Sequence, residues 1–154
     1  MKKIVLVFLM LVGFYSNAQI KTITVSSFRS NKISAEYYKD IDLETNDTLS
    51  YVAINFYNAE FSSISDYRTI KFKKQTDLDE FIKDLKTALP ELGTKQVITW
   101  NKKLYSLRLE EGFSNILFLT THYEIGYGYT MLKKNDIEKL LKWFTSFSIG
   151  NSKI

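Results

Sequence analysis

A chain of 154 residues, 45% hydrophobic, 15% aromatic and 25% charged, is long enough for one ordinary domain and too short for a multidomain enzyme. One proline and six glycines exclude collagen-like and low-complexity classes, and the apolar content excludes intrinsic disorder. With no cysteine, disulfides, thiol redox chemistry and thiolate metal sites are excluded, while a formal charge of +4 raises the question of an anionic partner.

Residues 1–18 read as a secretory leader. Lys2 and Lys3 precede an apolar run from Ile4 to Val12, and Ser16-Asn17-Ala18 supplies the small residues of a cleavage site. The run is shorter than the roughly 20 residues of a membrane span, and no later segment approaches that length. Cleavage would leave a single α+β domain over residues 19–154, with 19 basic against 17 acidic residues and a net charge of +2. Much of the basic excess therefore belongs to the leader, which disfavours a nucleic acid partner. No cysteine follows Ala18 to take a lipid anchor. The product is expected to be exported, periplasmic or extracellular, with no membrane span after cleavage.

Gln19 to Phe28 reads as a short first strand. From Ile33 to Leu43 the odd positions Ile33, Ala35, Tyr37, Lys39, Ile41 and Leu43 alternate with Ser34, Glu36, Tyr38, Asp40 and Asp42, the period of a strand. Thr45-Asn46-Asp47-Thr48 supplies a turn, and Leu49 to Tyr57 continues as a strand with apolar residues on both faces, which predicts a central position. Asn58 to Asp66 is a polar loop and Tyr67 to Lys73 a further strand. At Thr76 the period changes: Leu78, Phe81, Ile82, Leu85 and Leu89 fall at helical spacing. Thr76 and Asp79 resemble a capping box, and Pro90 is expected to end the helix.

Strand signals return after Gly93, in Lys95 to Asn101, Leu104 to Glu110, Phe113 to Thr121 and Tyr123 to Leu132. A second helix follows, with Asn135 as the expected cap and Ile137, Leu140, Leu141 and Phe144 as its apolar stripe. Four strands and a helix thus occur twice, and Phe72-Lys73-Lys74-Gln75-Thr76-Asp77-Leu78 parallels Leu132-Lys133-Lys134-Asn135-Asp136-Ile137 with a one-residue gap. This order resembles the topology of the PUR and Whirly families of single-stranded nucleic acid binders. The resemblance is one of element order, and it assigns no functional residues because none of those families' sequence motifs is present.

Among residues that could carry function, Tyr123, Tyr127 and Tyr129 alternate with Gly126 and Gly128. The tyrosines are expected on a sheet face turned away from the helices, where rings can stack on a ligand, or serve as ordinary cross-strand pairs. Lys71 and Lys73 alternate on the corresponding face of the earlier strand, setting cations beside aromatics or guarding an edge. His122, the sole histidine, has no metal-ligand or general-base company at useful spacing. Trp100 and Trp143 are expected to be buried against the helices.

The acidic series Glu36, Asp40, Asp42, Glu44 and Asp47 fails the calcium-loop pattern. Thr45 stands where that turn needs glycine and Tyr51 where it needs glutamate. No phosphate-binding, zinc or serine-nucleophile motif appears, so no cofactor, metal or catalytic residue is assigned.

The sequence therefore predicts an α+β fold, a curved antiparallel sheet with two helices on one face and the pattern of a pseudo-twofold ββββα repeat. It predicts a non-catalytic domain that binds a protein or polymeric ligand through the uncovered sheet face or the Asn58–Asp66 loop. Single-stranded nucleic acid binding is the alternative that the topology suggests. A small carboxylate-dependent hydrolase is the alternative that spacing alone leaves open.

Overall fold

The computed structural model describes residues 20–30, 32–61, 66–122 and 128–146. The expected leader (residues 1–18), Tyr123, Gly126 and Tyr127 lie outside the described residues. Strands β1 (Ile20–Arg29), β2 (Ile33–Asp42), β3 (Thr48–Tyr57) and β4 (Tyr67–Phe72) form an antiparallel sheet in the order β1-β2-β3-β4. Helix α1 (Gln75–Glu91) follows. Strands β5 (Ile98–Asn101), β6 (Tyr105–Leu109), β7 (Ile116–Thr121) and β8 (Gly128–Lys133) make a second antiparallel sheet in the order β5-β6-β7-β8, and helix α2 (Lys134–Phe144) follows.

The fold is thus α+β with antiparallel sheets, but the single sheet expected from the sequence is divided into two. Only the alternation within each strand is local information. The link from β4 to β5 is a helix, so no hairpin carries the ladder from one set of strands to the next. At β8 the Tyr129 amide donates to the side-chain Oδ1 of Asn58 at 3.1 Å. A side chain from the β3–β4 connection thus takes a donor on β8.

Local chemistry explains the element ends. In the β2–β3 turn, Oδ1 of Asp42 accepts the amides of Glu44 and Thr45, and Asn46 takes the left-handed conformation at φ 57°, which asparagine tolerates better than most residues. β3 lies between β2 and β4, the central place that its apolar residues predict.

Helix α1 starts at Gln75 and not at a Thr76 cap. The expected Thr76–Asp79 box does not form, because Thr76 lies inside the helix, and Asp79 accepts the Gln75 side-chain amide at 2.6 Å. Nor does α1 stop at Pro90; it runs to Glu91, with the proline in its last turn. A proline there removes one amide donor and leaves the preceding turns intact. Helix α2 starts one residue before the expected Asn135 cap, and Asp136 accepts the Lys133 amide at 3.2 Å.

One contiguous core joins one face of each sheet to both helices. Ala35, Val52, Ile54 and Ile70 come from the first sheet and Leu107, Leu117, Leu119 and Leu132 from the second, against Phe81, Leu85, Ile137 and Leu140 of the helices. Phe81 sits at its centre, with ring centroids 5.1 Å from Phe72, 4.8 Å from Tyr105 and 6.2 Å from Phe144.

Each helix also reaches the other half's sheet. Trp143 of α2 donates its indole N–H to Ser26 Oγ in β1 at 2.9 Å, and Asp136 accepts the Ser30 hydroxyl at 2.9 Å. In the other direction, Asp84 of α1 accepts the Tyr105 hydroxyl of β6 at 2.9 Å. Trp100 and Trp143 pack half-buried against the core.

Candidate functional site

The face of the first sheet opposite the core is set by register. Because Ile33, Ala35 and Tyr37 point inward, Glu36, Tyr38 and Asp40 point out, and their pairing partners place Tyr51, Ala53 and Leu49 beside them. From β4, Tyr67, Thr69 and Lys71 share this face. Tyr38 and Tyr51 are register partners whose rings stack at 5.2 Å, and Tyr57 and Tyr67 form a second pair at 4.3 Å. Between them Thr69 donates to Asn55 Oδ1 at 2.6 Å. Tyr57 and Tyr67 are 38% and 62% exposed and the first pair is half-buried, so this face is open to a ligand.

The face carries cations at both ends. Lys71 Nζ stands 5.8 Å from the Tyr51 ring centroid, within the range of a cation–π contact. At the other end Arg29 and Lys32 line a recess of about 260 Å³ together with Tyr57 and Tyr67. Carboxylates lie on the β2 side: Glu36 accepts the Tyr38 hydroxyl, and Asp40 accepts the Thr22 hydroxyl at 2.7 Å. The bond to Glu36, followed by burial and the negative charge beside it, pushes the Tyr38 phenol up to about 12. Burial and then the charge of Asp40 raise that of Tyr51. Both rings stay neutral over the physiological range.

Past Lys71 the chain enters a groove of about 340 Å³ between the start of α1 and the β5–β6 turn. Lys71, Lys73 and Lys74 approach from one side and Lys102 and Lys103 from the other, with Asp77 and Glu80 among them. Lys102 is engaged, 2.6 Å from Glu80 and 3.8 Å from Asp84. Its pKa is raised by the bond to Glu80. Among the described residues Lys73, Lys74 and Lys103 have no carboxylate within 4.0 Å.

Of the residues singled out in the sequence, Lys71 and Lys73 therefore meet in this groove, while Tyr129 lies elsewhere. Tyr129 pairs with Thr120 on the outer face of the second sheet, opposite to the buried Gly128, Thr130 and Leu132. Its ring is 6.0 Å from Phe118, over which Arg108 stands at 5.7 Å. With His122, Arg108 and Thr99 it lines a recess of about 610 Å³. The tyrosine beside Lys71 is Tyr51, not Tyr129, because the two strands carrying Lys71 and Tyr129 belong to different sheets.

Comparison of the chain with protein-family profiles, with curated proteins and with solved structures finds no match in any of the three. The site has to be read from its own chemistry. Among the described residues no group of three or more histidine, aspartate or glutamate side chains is arranged to hold a metal, and no helix is long and apolar enough to cross a membrane. Glu80 and Asp84 do come together, but on successive turns of one helix and around Lys102.

Sequence reasoning missed Tyr38, Tyr51, Tyr57 and Tyr67. The two members of each pair lie on different strands, and only the strand register brings them together. For Tyr38 and Tyr51 the signal that could have found them is the β2–β3 turn, since fixing the turn fixes which residues face each other, while Tyr57 and Tyr67 are joined across the longer β3–β4 connection, which carries no such turn signal.

Proposed function

We propose that this chain is a non-catalytic binding domain, acting outside the cytoplasm, whose uncovered first-sheet face takes an extended polymeric ligand. The observation that carries the reading is the pair of tyrosine pairs on that face, with Lys71 against the Tyr51 ring. Tyr51 and Tyr57 are six positions apart on β3, which spans about 20 Å of strand. That separation suits a linear chain that meets both pairs better than a compact molecule that meets one. The leader pattern supports action after export.

A second reading, single-stranded nucleic acid binding, is favoured by the same cation–ring contact and by the ββββα order. Affinity electrophoresis separates the two, using gels cast with soluble polysaccharides or with single-stranded DNA. Retardation by a polysaccharide that is lost in Tyr38→Ala/Tyr51→Ala, with the melting temperature held within a few degrees, supports the first reading. Retardation by DNA alone that collapses steeply with salt selects the second. Unchanged retardation in the double variant sinks the assignment of this face.

A further inference from the structure

We infer that the polymer is an acidic polysaccharide, whose carboxylate groups seat among Lys73, Lys74 and Lys103 while neighbouring sugar rings lie on Tyr51 and Tyr38; this rests on the reading of the first-sheet face as the binding surface.

Charge provides the first argument. Within the groove Glu80 is neutralised by Lys102 at 2.6 Å. That leaves Lys71, Lys73, Lys74 and Lys103 against the single carboxylate of Asp77, so the groove is locally cationic in a chain whose charge is otherwise nearly balanced. The lysines come from both halves of the sequence, and folding alone brings them together. Lysine presents a compact, mobile ammonium that accommodates carboxylates at varied positions, where arginine would impose a planar fork.

The neighbouring face decides between polymers. Continuing from Lys71 onto Tyr51 and Tyr38, the surface presents Glu36 and Asp40 beside the rings, with Asn55 and Thr69 further along. Carboxylates next to an aromatic platform accept hydrogen bonds from sugar hydroxyls but repel a chain that carries an anion at every unit, phosphodiester and homopolymeric uronate alike, so the sugars on the rings are neutral ones that alternate with the acidic sugars held by the lysines. Tyrosine rings offer an apolar face to the C–H side of a pyranose. The arrangement of cations at one end and acceptors beside the rings fits a chain that carries both anionic and hydroxyl groups.

The test is titration calorimetry on residues 19–154 with a hexasaccharide of alternating glucuronate and N-acetylglucosamine, its methyl-esterified neutral counterpart, and a single-stranded DNA oligomer of equal charge. The wild type should bind the uronate, weaken as salt is raised, and bind the neutral ester at least tenfold more weakly. Lys73→Glu/Lys74→Glu/Lys103→Glu, all on exposed side chains, should lose at least tenfold in uronate affinity with an unchanged circular dichroism spectrum. Tyr38→Ala/Tyr51→Ala should lose affinity for both sugars.

Uronate affinity unchanged in the triple-lysine variant but lost in the double-tyrosine variant would overturn the groove assignment and leave the face reading standing. Loss in neither would overturn both. DNA bound more tightly than uronate by the wild type, or no uronate binding at all, would overturn the ligand class, and the polymer gels would then decide the face by themselves.

Discussion

Gly128 has no room for a side chain: a Cβ there would meet Arg68 Cγ at 2.5 Å and Nε at 2.9 Å. Arg68 is held in place by Asp66, to which its Nε and Nη2 donate at 3.2 and 2.9 Å, and Asp66 also accepts the Asn58 side-chain amide at 2.8 Å. Asn58 in turn accepts the Tyr129 amide. This knot is where the two sheets meet. Gly128→Ala is therefore expected to destabilise by about 1–3 kcal/mol, the range for overpacking a tight site, checked by urea unfolding. The glycine's partner is not legible in the sequence, since Arg68 lies 60 positions earlier.

Tyr38 makes the second residue-scale prediction. Its phenol should ionise near 12, above the usual tyrosine value of 10.0, because its hydroxyl donates to Glu36. Glu36→Gln removes the charged acceptor and should bring that titration back towards 10, as measured by ultraviolet difference absorbance at high pH.

Among the elements, α1 carries the packing of the whole core. Its stripe of Leu78, Phe81 and Leu85 is fully buried, as helical spacing predicts, and Ala88 extends it. Phe81→Ala should cost about 3–5 kcal/mol, the range for truncating a buried phenylalanine, with the loss visible as a lowered denaturant midpoint. Asp84 shares that stripe while only 6% exposed. Sequence reading assigns an aspartate at such a position to the wet face, because the hydroxyl that satisfies it comes from a strand in the other half. The helix ends were less legible than the stripes. Capping depends on where the first turn begins: α1 starts at Gln75 with no side-chain cap, and α2 starts early enough that Asp136 becomes the residue whose side chain accepts the Lys133 amide.

For the molecule as a whole, the decisive feature is the exchange between halves: α1 bonds to β6 and α2 to β1. Tyr105 is 2% exposed and donates to the buried Asp84. Tyr105→Phe should cost about 1–3 kcal/mol by leaving a buried carboxylate short of a donor. Burial, and then the bond to Asp84, raise the Tyr105 phenol above its ordinary value of 10.0. The folded state holds this proton to a higher pH than the unfolded chain does. Its contribution is intact below about pH 10 and is lost as pH rises through the folded value. Stability curves from pH 8 to 11 should therefore fall more steeply in the wild type than in Tyr105→Phe.

The sequence by itself determined the elements and their faces. Alternation in Ile33 to Asp42 and helical spacing from Leu78 to Leu89 are consequences of backbone geometry acting over a few residues, and so is the outward placement of Tyr129 relative to Gly128. The tertiary structure decided everything that needs two distant segments: the division into two sheets, the pairing of Tyr38 with Tyr51, and the gathering of Lys73, Lys74 and Lys103 into one groove. Side-chain periodicity fixes which way a residue points, while register and helix docking fix what it meets, and those are settled by the burial of a core shared between the two halves.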